Sequence, residues 1–95
     1  MPASGVDAGL QLARLCRALG HPARVIILRF LALRRGGATC SEIVRQLPLA
    51  QSTVSQHLAV LKAAGLLRAD EAPPRVRYVI EPLALDVLKR EIAAL

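Results

Sequence analysis

Ser41-Glu42-Ile43-Val44-Arg45-Gln46-Leu47-Pro48-Leu49-Ala50-Gln51-Ser52-Thr53-Val54-Ser55-Gln56-His57-Leu58-Ala59-Val60-Leu61-Lys62-Ala63-Ala64 is the stretch on which the reading of this chain turns. Ser41 with Glu42 opens a short helix over residues 41–47, and Pro48 stops it. A longer helix follows over residues 51–64, closed by Gly65, which takes the left-handed conformation at no steric cost. A short helix, a tight turn and a longer helix make a helix-turn-helix. In the second helix Val54, Leu58 and Leu61 recur at helical spacing and face a core. Gln51, Ser52, Thr53, Ser55 and Gln56 crowd its first turns and are unsuited to a core. They carry both donors and acceptors, which is what reading base edges in a major groove asks of a helix N-terminus. The backbone amides there also suit a phosphate. A face that is merely solvated would use Glu and Lys, the better helix formers, and this one has neither before Lys62.

Working outward, residues 66–70 and 75–80 read as a two-stranded hairpin about a turn at residues 71–74. Arg75 and Arg77 are two apart, so both point to one face of a strand, where a wing would set them against phosphate or a narrow minor groove. Exposed arginines on an edge strand also discourage aggregation, and Asp70 and Glu71 weaken the positive field. Upstream, Met1 to Val6 reads as a frayed tail, and residues 1–7 are assigned to it. Asp7 caps a first helix over residues 8–19, with Leu12, Leu15, Cys16 and Leu19 on one side, and Gly20 ends it. Pro22 suits the first turn of a second helix over residues 22–35, and Gly36-Gly37 breaks the chain. Pro82 starts a last helix that runs to the C-terminus. The expected architecture is a single domain, residues 8–95: mainly α, five helices with a β-hairpin wing, a winged helix-turn-helix.

Composition agrees with this. The chain has 95 residues, 54% of them hydrophobic, with one Phe, one Tyr and no Trp. A domain of this size is marginal alone, and the excess of Ala, Leu, Val and Ile suggests a buried dimer interface. Net charge is +6, and Glu42 is the one acid between residues 8 and 69. A basic body with acids gathered toward one end fits a polyanion. No apolar run approaches the roughly 18 residues that span a bilayer. Residues 1–10 lack the basic-then-apolar pattern of a secretion signal, so the expected location is cytoplasmic, with Cys16 and Cys40 as reduced thiols. There is no phosphate-binding glycine loop, no nucleophile with its base and no paired carboxylates, so an enzyme is not expected. The rival reading is a dimerisation or protein-partner module, because Leu83, Leu85, Val87, Leu88, Ile92 and Leu95 make the last helix apolar on more than one face. A sequence-independent architectural binder fits less well, since such proteins rely on Arg, Lys and apolar wedges.

Three runs carry a family resemblance: Leu15-Cys16-Arg17-Ala18-Leu19-Gly20-His21-Pro22-Ala23-Arg24, then Gln51-Ser52-Thr53-Val54-Ser55-Gln56-His57-Leu58, then Val60-Leu61-Lys62-Ala63-Ala64-Gly65-Leu66-Leu67. Together they resemble the ArsR/SmtB family of bacterial winged-helix repressors, from about residue 10 to the end. The resemblance implies a homodimer joined by the first and last helices, binding duplex DNA at a palindromic operator and releasing it when an inducer binds. It carries DNA contact onto Gln51, Ser52, Thr53, Ser55 and Gln56. His57 either joins them or packs with its ring bonded to backbone. Lys62, Arg75 and Arg77 would steady the complex on phosphates.

The chain departs from the family pattern in ways that bear on the signal. At the third helix the two usual cysteine positions are Thr39 and Ser41, with Cys40 between them. The last helix has Asp86 and Glu91 but no histidine. Neither usual metal site can be assembled from these, and no cofactor is expected. Ala50 stands at a cap position where the family often has Ser, and Pro73-Pro74 replaces a wing-tip glycine. Cys16 and Cys40 either form a soft, thiol-based sensor of As(III), persulfide or oxidant, or pack as small hydrophobes.

Overall fold

The computed structural model describes residues 5–95. It contains α1 (Gly5–Leu19), α2 (Pro22–Ala32), α3 (Cys40–Val44), α4 (Gln51–Ala63), β1 (Leu67–Ala72), β2 (Arg75–Ile80) and α5 (Pro82–Ala93). These are the five helices and hairpin expected from the sequence. α1 begins earlier than residue 8: Gly5 and Val6 are helical and Asp7 lies inside the first turn rather than capping it. The rest of the expected tail, residues 1–4, lies outside the described residues.

Local chemistry sets most boundaries. His21 caps α2, accepting the Ala23 N–H at Nδ1 (3.0 Å), and Pro22 follows in the first turn, where no N–H is needed. α2 ends at Ala32, short of the expected Arg35. The reason is long-range: Ala38 pairs with Tyr78 through Ala38 N–H to Tyr78 O (3.1 Å) and Tyr78 N–H to Ala38 O (2.8 Å). The chain must leave the helix early to reach the hairpin, and Gly37 makes the approach possible at φ +74°. A Cβ on Gly37 would run into the Tyr78 carbonyl and Val79.

α3 is shorter than residues 41–47, and its cap is Thr39, not Ser41. Glu42 N–H donates to Thr39 Oγ1 (3.3 Å) and Thr39 N–H donates back to Glu42 Oε1 (3.2 Å), a closed capping box. Residues 45–47 continue only as tight turns. Ala50 gives α4 no side-chain cap bond. Its other end is well finished. Leu66 N–H donates to Leu61 O and Gly65 N–H to Lys62 O, both 3.0 Å, with Gly65 at φ +80°. Leu61 and Leu66, both fully buried, supply the apolar contact of this Schellman closure.

The hairpin pairs Leu67 with Ile80 through Ala72 with Arg75, so the second strand spans the expected 75–80 while the first runs on through Ala72, into the expected turn, and Pro73-Pro74 alone joins them. The core takes Leu15 and Ala18 from α1, Ile27, Leu28 and Leu31 from α2, and Ile43 from α3. Val54, Leu58 and Leu61 of α4 complete it, as the spacing predicted, with Leu66, Leu67, Ile80 and Leu88 closing the bottom. α1 packs on α5, α2 and α4. On α1 and α5 Val6 (73% exposed), Leu10 (61%) and Leu83 (77%) are left in solvent. No helix among the described residues is long and apolar enough to cross a membrane.

Candidate nucleic-acid interface

α4 separates its side chains by type. Val54, Leu58 and Leu61 point inward, while Gln51, Ser52, Ser55, Gln56 and Lys62 are exposed and Thr53 is half-buried at the edge of that face. The packing of α3 against α4 holds the polar face outward. No acid lies on α4. Its free N-terminal amides, uncapped by Ala50, therefore keep their positive character.

His57 is placed differently from its polar neighbours. Its Nδ1 lies 3.1 Å from Arg24 Nη1, and its ring lies 4.4 Å from that of His21, centroid to centroid, tilted by 44°. Removal from water, aided by the charges of His21 and Arg24, holds its pKa below the ordinary imidazole value. A neutral ring accepts from Arg24 at Nδ1. Arg24 also donates to the carbonyls of Ala18 and Arg17. It ties the end of α1 and the start of α2 to the middle of α4. The bond partner of His57 is thus a guanidinium, not backbone.

Arg75 is exposed and Arg77 half-buried on β2. Beside them α3 and β2 form an open groove of about 660 Å³, lined by Thr39, Cys40, Glu42, Arg45, Arg75 and Arg77 among others. Glu42 governs its electrostatics. Arg34 Nη2 donates to Glu42 Oε2 at 2.6 Å, and Arg77 Nη1 lies 3.8 Å from Glu42 Oε1. The backbone and hydroxyl of Thr39 lead in pulling the Glu42 pKa below its ordinary value, with Arg34 and Arg77 adding to it. Across the hairpin Asp70, the register partner of Arg77, is bound instead by Arg68 (2.9 Å), which also reaches Glu81 (3.1 Å). Asp70 therefore neutralises Arg68 rather than Arg77.

Both cysteines are free thiols. Cys16 is exposed on α1, while Cys40 opens α3 with Sγ 3.6 Å from Ser55 Oγ. Among the described residues no three His, Cys, Asp or Glu side chains are grouped as a metal ion would require. Sequence reasoning missed Arg24 and the Glu42 network. Arg24 lies in the Leu15–Arg24 run and Glu42 is the one acid between residues 8 and 69, but their partners are remote in sequence.

An outward polar helix, a supporting helix before it and an arginine-bearing hairpin after it define a winged helix-turn-helix of the DNA-binding class. The helix-turn-helix domain family matches residues 19–69. A helix-turn-helix-type transcriptional regulator of Methanocaldococcus jannaschii, MJ1325, is 32% identical over 78 residues, covering 81% of this chain and 86% of that protein. The transcriptional repressor SmtB of Mycobacterium tuberculosis is 41% identical over 64 residues, covering 67% of this chain and 46% of that protein. The homodimeric winged helix-turn-helix DNA-binding domain of Mb0332 from Mycobacterium bovis, a possible ArsR-family regulator, is 30% identical. It superposes with a TM-score of 0.73, covering 97% of this chain and 87% of that one. The chain belongs to the ArsR/SmtB family of winged helix-turn-helix transcriptional regulators.

Proposed function

We propose that the chain is a homodimeric, sequence-specific repressor that holds a palindromic operator and lets it go when an inducer binds. The observation that carries this reading is the exposed, acid-free face at the start of α4, formed by Gln51, Ser52, Ser55 and Gln56, with Thr53 at its edge. In a two-fold dimer two such helices enter successive major grooves, about 34 Å apart. Lys62, Arg75 and Arg77 fix the register on phosphates. His57 supports the helix from behind through Arg24 rather than reading bases. The exposed apolar residues of α1 and α5 favour these helices as the dimer seam.

The inducer reading rests on Cys40. A group added to its sulfur by As(III), a persulfide or an oxidant would press on Ser55, within the reading face. Cys16, on a seam helix, is the second candidate thiol. Coupling of ~1–3 kcal/mol between inducer and operator is typical and is enough to clear a promoter.

The test is competition binding to the promoter upstream of the chain's own gene, with and without reductant, arsenite, zinc and a persulfide donor. Specific binding that is lost in a Gln51→Ala, Gln56→Ala double variant supports the reading. Unchanged specificity in that variant removes α4 as the reader. Specific binding indifferent to every reagent, in wild type and in Cys40→Ser alike, removes the thiol signal. Absence of any specific binding leaves the chain as a partner-binding module.

A further inference from the structure

Nine basic side chains lie between residues 8 and 69, and the single acid among them, Glu42, stands in the groove between α3 and β2, beside the wing arginines. We propose that Glu42 is a fixed counter-charge that occupies Arg77 until a duplex is fully seated, and so suppresses sequence-independent DNA binding. The inference rests on the DNA-binding function proposed above.

The two partners of this ion pair differ in freedom. Glu42 cannot swing away. Oε1 accepts from both the backbone N–H and the hydroxyl of Thr39 (3.2 and 3.1 Å), and Oε2 accepts from Arg34 (2.6 Å). Only 25% of its side chain is exposed. Arg77 is 43% exposed, and its 3.8 Å separation from Glu42 is long for a direct hydrogen bond. Its cross-strand neighbour Asp70 is taken by Arg68. A loose, half-exposed pair of this kind holds weakly, whereas an arginine–phosphate contact is charge-assisted and can be bidentate.

A phosphate brought into the groove therefore takes Arg77 from Glu42. A duplex lying loosely over the face, with its phosphates further out, meets an arginine already neutralised and a carboxylate that repels it. The groove also carries Arg45 and Arg75, so a seated phosphate gains more than one cation. What matters for a regulator among many competing sites is the ratio of specific to non-specific affinity. A fixed negative charge that penalises only the loosely held state raises that ratio without touching a base.

Glu42→Gln removes the charge while keeping the capping box, which Gln closes as well as Glu. Dissociation constants would be measured across a salt series for wild type, Glu42→Gln, Arg77→Gln and the double variant, on a random-sequence duplex and on the upstream promoter duplex. Urea unfolding would confirm that each variant is folded. The expected result is that Glu42→Gln tightens random-duplex binding by about threefold to fivefold at low salt. Its log–log salt slope steepens by up to ~0.9, one further phosphate neutralised. Promoter binding changes less, so the specificity ratio falls, and the gain vanishes in the Arg77→Gln background. A gain of equal size in that background overturns the proposal, because Glu42 then acts only through the general field. Weaker binding by Glu42→Gln also overturns it, because Glu42 then aims Arg77 at DNA. If wild type shows neither salt-dependent binding nor a preference for the promoter duplex, it is the DNA-binding function that falls.

Discussion

Arg24 serves three segments with one guanidinium. The last carbonyls of a helix have no partner within it, and Arg24 satisfies two of them, on Arg17 and Ala18, while reaching His57 of α4. Hydrogen bonds from a charged donor contribute more than neutral ones. Arg24→Met, which keeps the aliphatic bulk, is expected to cost about 2 kcal/mol in urea unfolding. A second expectation concerns His57, whose folded pKa lies below its ordinary value of 6.5. Above that value the ring is neutral in both states and its full contribution is present. As pH falls through about 6.5, the unfolded chain takes up the proton first, so stability drops toward the lower folded pKa. The urea midpoint should fall as pH drops below about 6.5, and His57→Gln should flatten that fall. Glu42 lies outside this window, since its pKa is below 4.5 and its contribution is lost only as pH falls further.

The elements were legible where their signals are local. Val54, Leu58 and Leu61 marked the inner face of α4, and Gly65 marked its end. The Thr39–Glu42 box was also present at the spacing that capping requires, but Ser41 lay closer to Glu42 and looked like the cap. The end of α2 was not legible, because the bridge between Ala38 and Tyr78 spans a separation no periodicity reports. That bridge gives an expectation for two glycines with positive φ. Gly65→Ala meets open space and pays only the backbone penalty, about 1–2 kcal/mol, whereas Gly37→Ala adds a collision with the Tyr78 carbonyl and Val79. Thermal melts should rank Gly37→Ala well below Gly65→Ala, with loss of the hairpin's tie to α2.

Taken as a whole, the molecule exposes the polar face of α4 and, on α1 and α5, uncovered apolar side chains. A single chain of this size gains little from leaving Val6, Leu10 and Leu83 in water. Leu10→Glu with Leu83→Glu is expected to shift sedimentation toward a monomer and weaken promoter binding at least tenfold, roughly the loss of 1.4 kcal/mol of linked half-site affinity, with little change in the far-ultraviolet dichroism. The sequence disclosed which side chains of the candidate site face outward, since amphipathic spacing carries that information. It did not disclose what faces them. Arg24 with His57, and Glu42 with Arg77, meet only because α2 packs on α4 and α3 packs on β2.

The hairpin is joined by Pro73-Pro74 alone. Neither proline has an N–H, so the apex has carbonyl acceptors and no backbone donor. Phosphate oxygens are acceptors too, and two acceptors cannot bond without a bridging water or cation. The apex is therefore mute toward a sugar–phosphate rail, and on the proposed function the arm's hold on a duplex would come from its flank. Extending the loop would add reach without adding grip, while a single donor-bearing residue at the apex would create a contact this chain lacks.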